Sequence, residues 1–250
     1  MNLFYTELIK LKNTFALWLT ILGALFIPFL LLSAYLLSVK EFVPAPAVNP
    51  WYEYLLRTFN GYCLFSTGFI LLIIGLILNV EHKAHSWKHL FTLPVSRAKL
   101  YYVKLLFIFA TIVAFIILYF VFTISIGQFL GMGKSELKFS EFDIPNVYIL
   151  KFLLDFFVSI IPLVIIQYWI SLRMENLVTS LGLGLLGLMV GLLFKNSPHI
   201  IYFPYAMPFQ MWNYQVSNDL ILQKFIWVDA GYTMLFLTLS YNDFTRRFHG

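Results

Sequence analysis

Four stretches of this chain, residues 15–37, 58–80, 105–130 and 177–194, contain no Asp, Glu, Lys or Arg. Two more, 152–172 and 225–241, carry one acid each, Asp155 and Asp229. A helix needs about 20 apolar residues to cross the hydrocarbon core of a bilayer, and in lipid only a helix or a closed barrel satisfies its own backbone. Runs of this length therefore predict an all-α integral membrane protein with six transmembrane helices. The rest of the composition agrees: 60% of residues are hydrophobic and 12% charged, against roughly 25% charged in soluble domains. That balance excludes a soluble enzyme, a disordered chain and a secreted disulfide scaffold, and the single cysteine, Cys63, leaves no disulfide to form within the chain.

The net charge of +5 raises the question of nucleic acid, but the basic residues flank apolar runs and read as topology signals. With both termini in the cytoplasm, five basic residues (Lys83, Lys88, Arg97, Lys99 and Lys104) fall in the one short loop 81–104, and short loops carry the positive-inside rule. No repeat of 20–50 residues and no Gly/Ser-rich linker divides the chain, so residues 1–250 are expected to form one transmembrane domain. The first run is too long for a cleaved signal peptide, and no A-x-A-like site follows it. Residues 173–176, Arg-Met-Glu-Asn, predict a tight hairpin between the fourth and fifth spans.

Pro28 and Pro162 fall inside spans and are expected to kink them. Gly61, Gly68 and Gly75 recur on one face of the second span, and Ser180, Gly184, Gly187 and Gly191 on one face of the fifth. Small faces let helix backbones approach closely in lipid, and packing within the chain is favoured over a subunit interface.

Three segments outside the spans are patterned. Phe4, Leu8, Leu11 and Phe15 follow 4-3-4 spacing, with Glu7 and Lys10 between them. This predicts an N-terminal amphipathic helix lying on the inner surface. Between spans 2 and 3, residues 80–92 read as a short helix with Trp87, Leu90 and Phe91 on its apolar side. Pro94 ends it, and Ser96 caps the helix that follows. Residues 195–224 hold Pro198, Pro204 and Pro208 among many aromatic residues. They are expected to dip into the outer leaflet as a re-entrant element before the sixth span, serving as an anchor or a gate.

The loop resembles the first intracellular loop of permeases in the type-2 ABC transporter family. The residues that carry the likeness are Glu81, Trp87-Lys88, Pro94-Val95-Ser96-Arg97 and Lys99. The resemblance implies a cytoplasmic coupling helix between spans 2 and 3 that sits in a cleft of a separate ATPase. Its contact residues would be Glu81, His85, Trp87, Lys88, Leu90, Phe91, Pro94 and Arg97. It further implies two copies of that ATPase, carrying ATP and magnesium, and a second permease, identical or homologous, in a bacterial plasma membrane. The direction implied is export of an amphipathic or hydrophobic cargo, as in self-protection against peptide antibiotics.

Other chemistries are weaker. Gly131-Met132-Gly133-Lys134-Ser135 ends like a phosphate-binding loop, but Gln128 stands where its first glycine belongs and a membrane span precedes it, so no cofactor is assigned to this chain. His82, His85 and His89 share a helix face, yet ligand sets normally converge from several elements, so no metal is assigned and a solvated strip is the plainer reading. No protease or hydrolase motif is present. Asp155 and Asp229 are candidates for the substrate path, because ionisable residues inside membranes are functional by default. An alternative keeps the membrane fold but makes the chain an ATP-independent channel or scaffold whose loop docks a cytoplasmic partner.

Overall fold

The computed structural model describes residues 3–12, 14–45, 48–83, 95–197, 199–210 and 219–247. In chain order its helices are α1 (Leu3–Lys12), α2 (Phe15–Leu37), α3 (Pro50–Lys83), α4 (Arg97–Gly133), α5 (Asn146–Arg173), α6 (Leu177–Leu193) and α7 (Asp219–Arg247). Short 3-10 turns stand at Val39–Phe42, Ser135–Leu137, Phe139–Glu141 and Ile200–Tyr202. No strand occurs among the described residues.

The boundaries follow local chemistry. Pro50, which lacks the N–H that a first helical residue cannot use, opens α3, and Asn49 Oδ1 accepts from Trp51 N at 2.9 Å. Ser96 caps α4 as expected, its hydroxyl accepting from Lys99 N at 3.3 Å. Asn176 does the same for α6 through Val178 N at 2.9 Å, so α5 and α6 are two helices joined by a three-residue turn. Helices α2 and α5 run continuously past Pro28 and Pro162.

Four helices, α2 to α5, are long and apolar enough to cross a membrane, and α6 is a shorter apolar helix. α7 is long enough at 29 residues but more polar. Helices α3, α4, α5 and α7 extend beyond their apolar runs at both ends, because a membrane helix continues through the headgroup region where its ends meet water, whereas α2 matches its run and α6 stops one residue short. Phe15, Trp18, Leu22 and Phe29 make an exposed stripe along α2, a surface that suits lipid.

In lipid, packing and interhelical hydrogen bonds hold helices together rather than water exclusion. An aromatic seam between α3, α4 and α5 supplies both. Phe59 stacks on Phe152 with centroids 3.8 Å apart, and Tyr62 lies 3.9 Å from Tyr119. The phenol of Tyr54 donates to Thr123 O, that of Tyr119 to Thr58 O and that of Tyr168 to Tyr101 O, at 3.0, 3.0 and 3.1 Å. The bundle thus has two distinct ends. At one, which we call the loop end, stand α1, the base of the 84–94 loop, the α5–α6 turn and the last residues of α7. The opposite end carries the 3-10 turns, where Trp51 Nε1 donates to Phe139 O at 3.1 Å.

The small faces are filled from within the chain. A Cβ on Gly184 would stand 2.6 Å from Gln167 Oε1, on Gly187 2.9 Å from the Tyr205 ring and on Gly191 3.1 Å from Ala206. On α3, Gly75 faces Leu177 and Leu181, while Gly68 opens onto an apolar groove between α3 and α6. The glycines of 131–135 belong to the end of α4, where Gly131 admits Phe139 and Ser140 at close range. That segment is a helix terminus packed against a turn.

Candidate functional site

Four charged side chains meet at the loop end. Glu7 and Lys10 come from α1, Glu81 from the last turn of α3 and Lys104 from the second turn of α4. Lys10 Nζ lies 2.9 Å from Glu7 Oε1 and 2.7 Å from Glu81 Oε1, and Lys104 Nζ lies 3.0 Å from Glu81 Oε1 and 3.4 Å from Glu7 Oε2. The bonds close a ring, Glu7–Lys10–Glu81–Lys104, in which two acids face two lysines. Glu81 and Lys104 are almost fully buried, Glu7 nearly so, and Lys10 keeps 38% of its side chain exposed. Burial acts to lower the pKa of Lys10, but its hydrogen bonds to Glu81 and Glu7 outweigh that and hold the ammonium above its ordinary 10.5.

A buried ion pair contributes little net stability, since desolvation cancels much of the attraction. Breaking one leaves an uncompensated charge and is costly. Such a ring therefore specifies which elements meet rather than adding much stability. Here it ties a separate N-terminal helix to both ends of the 84–94 loop. Phe4 adds an edge-on contact with Phe107 on α4 at 5.8 Å.

The spacing of Phe4, Leu8 and Leu11 predicts a surface helix with its apolar stripe in the acyl boundary. In the structure Phe4 and the charged Glu7 and Lys10 face the bundle, while Tyr5, Leu8 and Ile9 are exposed. From the sequence, Glu7 and Lys10 read as the polar side of a surface helix and Lys104 as a basic residue where the loop enters the third span. The available signal was an acid and a base one turn apart on α1, with one acid and one base at the ends of the two helices flanking the loop.

Other loop-end contacts fix the remaining helices. His82 Nε2 is 2.9 Å from Ser171 O on α5. Arg97 donates through Nη1 to Thr245 O near the C-terminus of α7, at 3.1 Å, where a cation also suits the helix dipole. Trp169 Nε1 donates to Asp243 at 2.8 Å, and Tyr101 packs against Tyr241 and Phe244. His85, Trp87, Lys88, Leu90, Phe91 and Pro94, named from the sequence as loop contacts, lie outside the described residues, as does His89 of the histidine strip. Among the described residues no group of His, Cys, Asp and Glu could hold a metal ion.

At the opposite end, residues 199–210 fold back along α6. Tyr205 packs on Gly187 and donates to Gln167 Oε1 at 3.3 Å, joining a buried set in which Gln167 Nε2 donates to Ser180 O at 3.1 Å. Gln210 Nε2 donates to Lys195 O at 2.7 Å. Asp155 is half-buried on α5 and Asp229 is buried on α7. No hydrogen bond joins the two acids.

Residues 3–191 match the family model of the ABC-2 family transporter proteins. The chain belongs to that family. The match runs from α1 through nearly all of α6, so the charge ring and the loop fall within it, and the 199–210 segment and α7 follow it. No curated protein and no solved structure matches the chain. ABC-2 permeases are the membrane subunits of transporters, and membership implies an ABC ATPase as partner.

Proposed function

We propose that the chain is the permease subunit of an ATP-binding-cassette exporter, with α2 to α7 as its six spans and the loop end in the cytoplasm. A separate ATPase, present in two copies with ATP and magnesium, docks on the 84–94 loop. A second permease, identical or homologous, completes the translocation path in a bacterial plasma membrane. The cargo is amphipathic or hydrophobic, of the class that includes membrane-active peptides and lipids.

The observation that carries this reading is the charge ring. A loop that merely joined two spans would need no buried fastening at its base. This one is tied at Glu81 and Lys104 to α1, at His82 to α5 and, through Arg97, to α7. A push on the loop reaches several helices through short, charge-assisted bonds. The surface helix α1 moves with it, its exposed Tyr5, Leu8 and Ile9 resting in the acyl boundary. At the outer end the re-entrant 199–210 segment, seated on Gly187 and Gly191, gates release.

Purifying the tagged chain from its native membrane in mild detergent tests the proposal. A P-loop ATPase in stoichiometric yield is the expected result. A monodisperse, folded preparation without an ATPase, also after cross-linking in intact membranes, overturns it.

A further inference from the structure

We propose that Asp229 is the anionic anchor of a binding site for a hydrophobic organic cation, seated between α7 and the 200–207 segment. The side chain is 4% exposed, Oδ1 is wholly buried, and no described residue hydrogen-bonds to it. A carboxylate buried without a partner costs far more than a single interaction returns, so a buried orphan points to a missing counter-charge.

Placement says what kind. Asp229 shares the inward face of α7 with Tyr232, Phe236 and Ser240, about 15 Å along the helix from Asp219. Val228, next to it in the chain, and Tyr232, one turn on, pack on Ile201 and Met207 in a small apolar cluster separate from the main core. Tyr232 spends its hydroxyl on Tyr202 O at 2.6 Å, and its ring stacks with Phe236, leaving aromatic surface beside the acid. A metal ion needs several oxygen, nitrogen or sulfur ligands, and no such group exists among the described residues. One carboxylate with apolar and aromatic walls fits an ammonium-like head on a greasy body, held by charge and by the ring faces. The 200–207 segment is the cover: Ile201, Met207 and the Tyr202 carbonyl meet Val228 and Tyr232 of α7 in a cluster apart from the main core, while Tyr205 seats the same segment on α6.

The proposal rests on the transport reading only for the cation's role as cargo; binding itself needs no ATPase. The same chemistry is offered by a diffusible amphipathic amine and by the head of an amino-phospholipid. The test uses the full chain, with whatever co-purifies, in nanodiscs of phosphatidylglycerol, titrated with radiolabelled tetraphenylphosphonium. Saturable binding is expected, weakened at least about tenfold by Asp229→Asn through loss of one desolvated ion pair. Asp229→Glu and, as a control at an exposed turn, Glu136→Gln should both retain binding. Phosphatidylethanolamine in the discs competes if a lipid head is the resident cation, and leaves binding unchanged if the cation is diffusible; either result supports the site. Equal affinity of wild type and Asp229→Asn overturns it. So does equal binding of tetraphenylborate, the anion of the same shape, a comparison that needs no variant to fold. Absence of an ATPase with intact cation binding would sink the transport reading alone.

Discussion

Removing one charge from the ring differs from removing a matched pair. Lys104→Met leaves Glu81 buried with Lys10 as its remaining described partner, and should destabilise the chain by about 3 kcal/mol, the lower end for a broken buried pair. Adding Glu81→Gln removes the surplus charge and leaves Glu7 with Lys10 at 2.9 Å. The double variant should therefore melt above the value expected if the two single losses were additive, by about 1 kcal/mol or more of coupling. Thermal melts in mild detergent measure this, and strictly additive losses would refute a connected ring. Lys10 adds a pH signature. Because its folded pKa lies above its ordinary 10.5, its contribution is complete below that value and lost as pH rises through the folded value. Docking of α1, read as protection of a cysteine at Phe4, should hold from neutral pH up to 10.5 and fail only as pH rises through the higher folded value; release between pH 7 and 9 would contradict the assignment.

Helix ends and helix faces were not equally legible. Ser96, Asn176 and Asn49 act on residues two or three positions away, so their roles are readable in the chain itself. The small face of α6 was also readable as a packing surface, though not its occupant, since Tyr205 arrives from a segment past the end of the helix. The face that α1 turns to the bundle was not legible for a physical reason. A helix on a membrane surface has lipid on one side and protein on the other, so the spacing that marks its lipid-facing stripe says nothing of which charges pair on the protein side. Partner choice across sequence separations of 71 and 97 residues leaves no local periodicity to detect. The α6 surface gives a prediction at this scale. Gly187→Val puts side-chain atoms where the Tyr205 ring lies, 2.9 Å from a Cβ, and should lift the 199–210 segment. A cysteine at Ala206, 1% exposed, should resist an impermeant maleimide in the wild-type background and label readily with Gly187→Val. Continued protection would mean that the segment does not depend on that seat.

At the scale of the molecule, α7 runs from the loop end to the cover over Asp229. Arg97 holds it at Thr245, and Tyr232 holds Tyr202 at the other end. The ring and this helix together give one continuous route from the loop to the far side of the bundle. Spin labels report it directly. Leu37 and Val147, at the far ends of α2 and α5, are 85% and 83% exposed and suit cysteine substitution in a Cys63→Ala background. The decisive measurement is the distance between these labels in the ATPase complex, with and without ATP and vanadate, in wild type and in Glu81→Gln. The account predicts a nucleotide-dependent change in wild type that is lost in Glu81→Gln while the ATPase stays bound and hydrolyses ATP. The same change in both proteins would show that the ring does not carry the motion.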